Sequence, residues 1–125
     1  LNDTEFQKAA YLLAECYIQE RNPQGALYLL KQFKPDPNNI PVDRYEFLQA
    51  YSQYATGLVT AAYFGFKKTF ETSSNQAVKE GSLYYVTRIL FELGNRPEAE
   101  RVFQMFQKQY PKSSYIRLIN LMLAN

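Results

Sequence analysis

Hydrophobic residues recur at intervals of three and four along most of the chain, the spacing that places them on one side of an α-helix. The first such run consists of Phe6, Ala9, Ala10, Leu13, Ala14, Tyr17 and Ile18. Comparable runs follow as far as the last residues, and none shows the strict alternation typical of a strand. The pattern predicts an all-α chain of about seven helices. Because helices joined by short loops pack antiparallel, we expect three antiparallel hairpins over residues 3–34, 42–72 and 76–110, and an extra helix over residues 114–124.

Residues that stop and start helices separate the hydrophobic runs. Asn22 is a suitable N-cap and Pro23 a suitable first-turn residue for the second helix. Asn95 and Pro97 repeat this arrangement before the sixth helix, directly after Gly94, which favours the left-handed conformation that ends many helices. The same joint therefore occurs twice, which indicates a repeated unit.

A second set of residues gives this repeat a period near 36. Three alanines are each followed, four residues later, by a large apolar residue: Ala26 and Leu30, Ala62 and Phe66, Ala99 and Phe103. A small residue at such a position allows two helices to cross closely. We therefore expect each alanine to lie at a helix–helix crossing. The helices that precede the first and third alanines are expected to pack there through matching inner stripes, Ala10, Leu13, Ala14 and Tyr17 in one and Leu83, Val86, Thr87 and Leu90 in the other.

These residues resemble the tetratricopeptide repeat (TPR) family, whose pattern is W-x2-L-G-x2-Y…A-x3-F…P. The third unit matches through Leu90, Gly94, Ala99, Phe103 and Pro111, and the first through Leu13, Ala14, Tyr17, Ala26 and Leu30. The chain lacks the tryptophan in every unit, and the middle unit lacks the terminal proline. The resemblance implies a right-handed α-solenoid forming a single TPR-like domain over residues 1–125. Because the chain starts at Leu1 and ends soon after an apolar helix, we expect it to be a piece of a longer protein.

Composition argues against catalysis. There is no histidine and one cysteine, so Ser-His-Asp and Cys-His arrangements and a structural zinc site are ruled out. No glycine-rich phosphate loop is present either, and we expect no enzyme activity, cofactor or metal. Cys16 falls within the apolar pattern of the first helix and is expected to be a small buried residue.

Charge and hydropathy also limit the partners. A net charge of +2 is too small to indicate nucleic-acid binding, and no apolar run reaches the length of a membrane span. The tail Tyr110-Pro111-x-Ser113 is similar to that of bacterial envelope-associated TPR proteins. This similarity shifts the expected compartment only slightly toward the periplasm and envelope, and the compartment stays open.

The TPR resemblance implies that the first helix of each hairpin lines a concave face. The candidate partner-binding residues are Tyr11, Glu15 and Ile18 in the first unit and Tyr84, Arg88 and Phe91 in the third. The middle unit allows two registers: Leu48, Ser52 and Ala55, or Phe47, Tyr51 and Tyr54. Tyrosine gives a large contact area with few rotatable bonds, which suits a bound peptide, although these rings could instead pack against neighbouring helices. A carboxylate clamp of the kind some TPR proteins use is not expected, because Glu15 and Arg88 occupy its places.

The leading hypothesis is a non-catalytic scaffold that binds a partner protein or peptide. From the middle unit, Tyr51 is included among the candidate partner-binding residues. One alternative is a homodimer formed through the apolar last helix, by Tyr115, Leu118, Leu121 and Met122. Another is an accessory domain of a longer enzyme.

Overall fold

The computed structural model describes residues 3–124, so Leu1, Asn2 and Asn125 lie outside the description. Within that range the chain forms seven α-helices and no strand, which confirms the predicted all-α helical repeat. They are α1 (Asp3–Gln19), α2 (Pro23–Leu30), α3 (Val42–Ala55), α4 (Val59–Thr72), α5 (Gln76–Glu92), α6 (Arg96–Gln109) and α7 (Tyr115–Ala124). Packing divides the chain into two compact units. Unit 1 ends at Gly65 and unit 2 begins at Phe66, within α4.

The joint between α1 and α2 and the joint between α5 and α6 have the same hydrogen-bond pattern. The Asn22 N–H donates to the Tyr17 carbonyl oxygen at 2.7 Å, and the Asn95 N–H donates to the Leu90 carbonyl oxygen at 2.9 Å. Asn22 also caps α2, because its side-chain oxygen accepts the Gly25 N–H at 3.0 Å. Asn95 occupies the N-cap position of α6, but its side chain makes no capping hydrogen bond to the described residues.

In unit 1, α1, α2 and α3 enclose one hydrophobic core. Its buried members are Tyr11, Ala14, Ala26, Leu30, Ile40 and Tyr45. Ala26 is fully buried, as expected for a helix crossing. The Tyr45 hydroxyl donates to the Leu30 carbonyl oxygen, which ties α3 to the end of α2. A buried phenol thereby keeps a hydrogen-bond partner, as burial requires.

A buried glutamine fixes the loop between α2 and α3. The Gln7 side chain, 9 % exposed, donates to the Lys34 carbonyl oxygen at 3.2 Å. Its amide oxygen accepts the Asp36 N–H at 3.0 Å. One side chain on α1 therefore satisfies two backbone groups of the loop, at Lys34 and Asp36.

In unit 2, α5 is the most buried helix, and its inner stripe is the predicted one. Its members Leu83, Val86, Thr87 and Leu90 are all buried, together with Ala99 and Phe103 of α6. Ala99 is fully buried, as is Ala62 of α4, in agreement with the expected alanine crossings. Ile119 of α7 is also fully buried, so α7 has an inner side.

The two units repeat in register, and this comparison corrects two predictions about α1. Helices α1 and α5 both have 17 residues, and their first residues, Asp3 and Gln76, lie 73 positions apart. Leu13 was expected in the inner stripe and Cys16 was expected to be buried, but Leu13 is 45 % exposed and Cys16 is exposed. Both predictions were wrong because they read burial from the apolar pattern alone. Burial also needs a neighbouring helix, and none of the described residues of unit 1 buries Leu13 or Cys16.

Candidate functional site

Helices α1 and α3 form a cleft in unit 1 together with the loop that Gln7 fixes. The cleft has a volume of about 380 Å³. It is lined by Lys8, Tyr11, Leu12 and Glu15 of α1 and by Asn39, Ile40, Pro41 and Arg44. Tyr11 and Glu15, both predicted as partner-binding residues, therefore lie together here. We call it the loop cleft.

Tyr11 forms an inner wall of the loop cleft rather than a projecting ring. It is 8 % exposed and belongs to the unit 1 core. Burial, together with the nearby carboxylate of Glu15, raises the pKa of Tyr11 to about 12, and the Arg44 guanidinium opposes this shift. The phenol is thus neutral at physiological pH, and the charges at the mouth belong to Glu15, Lys8 and Arg44.

A second cleft lies between α1, α3 and the joint that follows α1. It has a volume of about 260 Å³ and is lined by Ile18, Arg21, Pro23, Tyr51 and Ala55. Ile18 and Tyr51 were predicted as partner-binding residues, and the structure brings them together. Sequence reasoning did not single out Arg21 and Pro23 as lining residues. We call this the joint cleft.

The joint cleft includes residues from both registers considered for α3. Tyr51 comes from one register and Ala55 from the other, and they share a face because they are four residues apart. Ser52 is fully buried, and its hydroxyl donates to the Leu48 carbonyl oxygen at 2.8 Å. Leu48 itself packs against the unit 1 core. Neither register describes the face of α3 as a whole.

Arg21 holds a backbone conformation that is costly for its residue type. Its φ is 62°, and the equivalent residue 73 positions later is Gly94, with φ 82°. The left-handed region costs a non-glycine residue roughly 1–2 kcal/mol. An arginine thus stands where glycine would be less strained, and it lines the joint cleft.

In unit 2 the predicted residue Tyr84 packs against α7. Tyr84 is 4 % exposed, and its ring stacks on Tyr115 with centroids 4.3 Å apart. The Arg88 guanidinium donates to the Tyr84 hydroxyl at 3.1 Å and lies 3.7 Å from the Glu92 carboxylate. Phe91 is half-buried. The Tyr84 ring therefore packs against a neighbouring helix, which was the alternative to contact with a bound peptide.

The residues predicted for self-association differ in exposure along α7. Tyr115 is half-buried against Tyr84, and burial raises its pKa. Met122 is half-buried, whereas Leu118 and Leu121 are 46 % and 60 % exposed. A further cleft of about 500 Å³ adjoins Leu121 and is lined by Pro111, Lys112, Ser113, Ile116, Arg117 and Asn120.

Comparison with known proteins is consistent with this architecture. Residues 82–113 match the tetratricopeptide repeat family model. The match covers most of α5 and all of α6, and together with the seven-helix fold it fits a TPR-like repeat protein. Repeats of this family generally mediate protein–protein interactions. Searches of curated proteins and of solved structures find no significant match.

Two further observations concern membranes and metals. Among residues 3–124, no helix is both long enough and apolar enough to cross a bilayer. In the same range, no three side chains of the histidine, cysteine, aspartate or glutamate type lie together as a metal site would require.

Proposed function

We propose that this protein is a non-catalytic scaffold that binds a peptide segment of another protein on the α1–α3 face of unit 1. The observation that carries the proposal is the pair of clefts on that face, which gather Tyr11, Glu15, Ile18 and Tyr51. Helical repeats bind partners on surfaces formed by successive repeats. A protein ligand fits these clefts better than a nucleic acid does, because they offer apolar walls and charges of both signs.

The joint cleft has the composition of an anchor site. Ile18, Pro23 and Ala55 give it apolar walls, and Tyr51 adds an aromatic ring with a polar tip. Such a site accommodates one apolar side chain of a partner, and aromatic residues of this kind carry much of the energy of protein interfaces. The loop cleft then holds polar neighbours of that side chain between Lys8, Glu15 and Arg44.

Arg21 gives the joint cleft a fixed cation beside its apolar walls. The guanidinium suits a carboxylate of the partner, because its planar donors match carboxylate geometry. A strained backbone at a binding surface is consistent with a residue retained for function at some cost in stability. We therefore expect the bound peptide to carry an acidic residue next to its apolar anchor.

The test uses peptides selected by the protein itself from a displayed random library. Enriched peptides should share an apolar anchor next to Asp or Glu, and their affinity is then measured by calorimetry. Tyr51→Ala should weaken binding by about tenfold, the loss typical of an interface anchor. Tyr28→Ala is the matched control, since Tyr28 is 67 % exposed and lies outside both clefts. The proposal fails if no peptide is enriched, or if Tyr51→Ala binds the selected peptides as tightly as the unsubstituted protein.

Arg21→Gly separates binding from folding. Glycine relieves the left-handed backbone, so the free energy of unfolding should rise by about 1 kcal/mol. The same change removes the cation, so affinity for the acidic peptides should fall, and affinity for a peptide with Gln in place of the acid should not. If Arg21→Gly binds both peptides as the unsubstituted protein does, Arg21 has no role in recognition.

A further inference from the structure

Helix α1 presents an apolar stripe that is exposed along most of its length, although Phe6 at its N-terminal end packs edge-on against the Phe33 ring, with centroids 5.8 Å apart. The stripe consists of Phe6, Ala9, Leu13 and Cys16, spaced by three and four residues, so they share one side of the helix. Phe6 and Leu13 are 36 % and 45 % exposed, and Ala9 and Cys16 are also exposed. We call this stripe the outer face of α1. It is distinct from the α1–α3 clefts.

The equivalent face of α5 in unit 2 shows which contacts such a stripe can make. The residues 73 positions later are Lys79, Ser82, Val86 and Ile89, and the last three are buried. The end of α4 lies on this side of α5. Lys79 donates to the Phe70 carbonyl oxygen at 2.7 Å and its ammonium lies 4.8 Å above the Phe70 ring. On α5, the equivalent face therefore carries a contact with another helix, α4.

Tyr85 gives a second contact of the same kind. It corresponds to Leu12, which adjoins the outer face of α1 and is 61 % exposed. In unit 2 the Tyr85 ring stacks on Phe66 of α4, with centroids 4.8 Å apart and planes 14° from parallel. The helix received by α5 thus supplies large apolar side chains one turn apart, Phe66 and Phe70, and a helix of similar chemistry fits the outer face of α1.

Helix α7 has that chemistry. Leu118 and Leu121 lie one turn apart and are largely exposed. Residues 111–124 contain two cations, Lys112 and Arg117, and no carboxylate. Their charge is opposite in sign to that of α1 and its joint.

The carboxylates of α1 lie where a basic helix would meet them. Residues 3–21 contain four carboxylates, Asp3, Glu5, Glu15 and Glu20, and two cations, Lys8 and Arg21. By helical spacing, Glu5 adjoins the outer face of α1 and Glu20 continues it by one turn. Opposite charges at the edge of an apolar contact favour its formation and fix its orientation.

We propose that α7 of one copy of this protein packs on the outer face of α1 of a second copy. The contact joins two different surfaces, so it is heterologous, unlike the α7–α7 homodimer. Leu118 and Leu121 take the place that Phe66 and Phe70 have on α5, and Lys112 and Arg117 meet the acidic edge of α1. The proposal does not depend on peptide binding at the clefts.

The test compares two charge substitutions that each disable one side of the contact. Leu13→Glu disables the outer face of α1, and Leu121→Glu disables the exposed side of α7. Light scattering of the unsubstituted protein should show a mass that rises with concentration and falls with added salt. Each variant alone should be monomeric. An equimolar mixture should form a one-to-one heterodimer, because one intact α7 then meets one intact α1.

Cys16 reports on the contact directly. Its thiol is exposed in the single copy and becomes covered when α7 docks. Its rate of reaction with a disulfide reagent should be slower in the associated protein than in the monomeric Leu121→Glu variant. In the heterodimer, protection should appear in the Leu121→Glu chain, which has the intact α1, and not in the Leu13→Glu chain.

Controls keep every outcome decisive. Leu93→Glu places the same charge at a residue that is 61 % exposed on neither face, and it should associate normally. Ala9→Glu repeats the α1 substitution at an exposed position if Leu13→Glu fails to fold.

A monomeric unsubstituted protein overturns the proposal, as does a mixture that stays monomeric. A dimeric Leu13→Glu with a monomeric Leu121→Glu also overturns it and supports the α7–α7 homodimer. Peptide affinity at the clefts should be unchanged in Leu13→Glu, so the two proposals fail separately.

Discussion

Gln7 offers the sharpest test of how unit 1 is held together. Its side chain is buried on α1 and makes two hydrogen bonds to the backbone of the α2–α3 loop, at Lys34 and Asp36. Gln7→Leu keeps the approximate volume of the side chain and removes both bonds. The loop then keeps its covalent path but loses its attachment to α1.

The expected loss follows from the two bonds. A typical hydrogen bond contributes about 0.5–1.5 kcal/mol net to stability, and both of these are partly shielded from water. Leucine in their place cannot satisfy either backbone group, while its apolar contacts recover only part of the loss. We expect the free energy of unfolding to fall by about 2 kcal/mol.

Two measurements check this expectation. Urea unfolding followed by circular dichroism gives the overall change. Amide hydrogen exchange locates it, because the Asp36 N–H donates to Gln7 and should exchange faster in Gln7→Leu. Gln7→Glu keeps the acceptor for the Asp36 N–H and loses the donor to the Lys34 carbonyl. The Asp36 amide should therefore stay more protected in Gln7→Glu than in Gln7→Leu.

Gln32→Leu is the matched control. Gln32 is exposed, and its side chain donates to the Tyr28 carbonyl oxygen at 2.9 Å, a bond between residues four apart. Its substitution should change stability by less than about 0.5 kcal/mol, as for most surface positions. The reasoning is refuted if Gln7→Leu behaves like Gln32→Leu, or if the Asp36 amide keeps its protection in Gln7→Leu.

Two further expectations concern single buried groups. Ser82 and Ser52 are both fully buried in helices, but the Ser82 hydroxyl has no hydrogen-bond partner among the described residues, whereas Ser52 donates to Leu48. Serine-to-alanine substitution gains the same helix propensity at both, so Ser82→Ala should be the more stabilising by about 1 kcal/mol in urea unfolding; equal effects would contradict this. The pKa of Tyr11 is raised from 10.0 to about 12. The folded state therefore favours the neutral phenol, and its contribution to stability is present below pH 10 and is lost as the pH rises toward 12. Tyr11→Phe should flatten that alkaline decline, and an unchanged pH profile would refute the assignment.

Local chemistry could be predicted well from the sequence, because it depends on residues close together in the chain. Asn22 caps α2 as expected, and Gly94 has the left-handed φ that ends α5. Ala26 and Ala99 are fully buried at predicted crossings. Of the candidate site, the sequence singled out Tyr11, Glu15, Ile18 and Tyr51, which line the two clefts of unit 1. It did not predict a role for Arg21, because the repeat places Arg21 opposite Gly94 but does not show that the backbone keeps the left-handed φ with an arginine there.

Tertiary packing decided which members of similar patterns are buried. Leu13 and Val86 occupy the same position of the repeat, yet Leu13 is 45 % exposed and Val86 6 %. Tyr84 stacks on Tyr115, a contact between residues 31 positions apart. Gln7 is polar and buried only because a distant loop supplies two backbone partners. The sequence by itself determined the helices, their ends and the repeat, since periodicity and capping act within a few residues. Burial, and with it the surface left for a partner, depends on which helix lies alongside, and that was decided only by the tertiary structure.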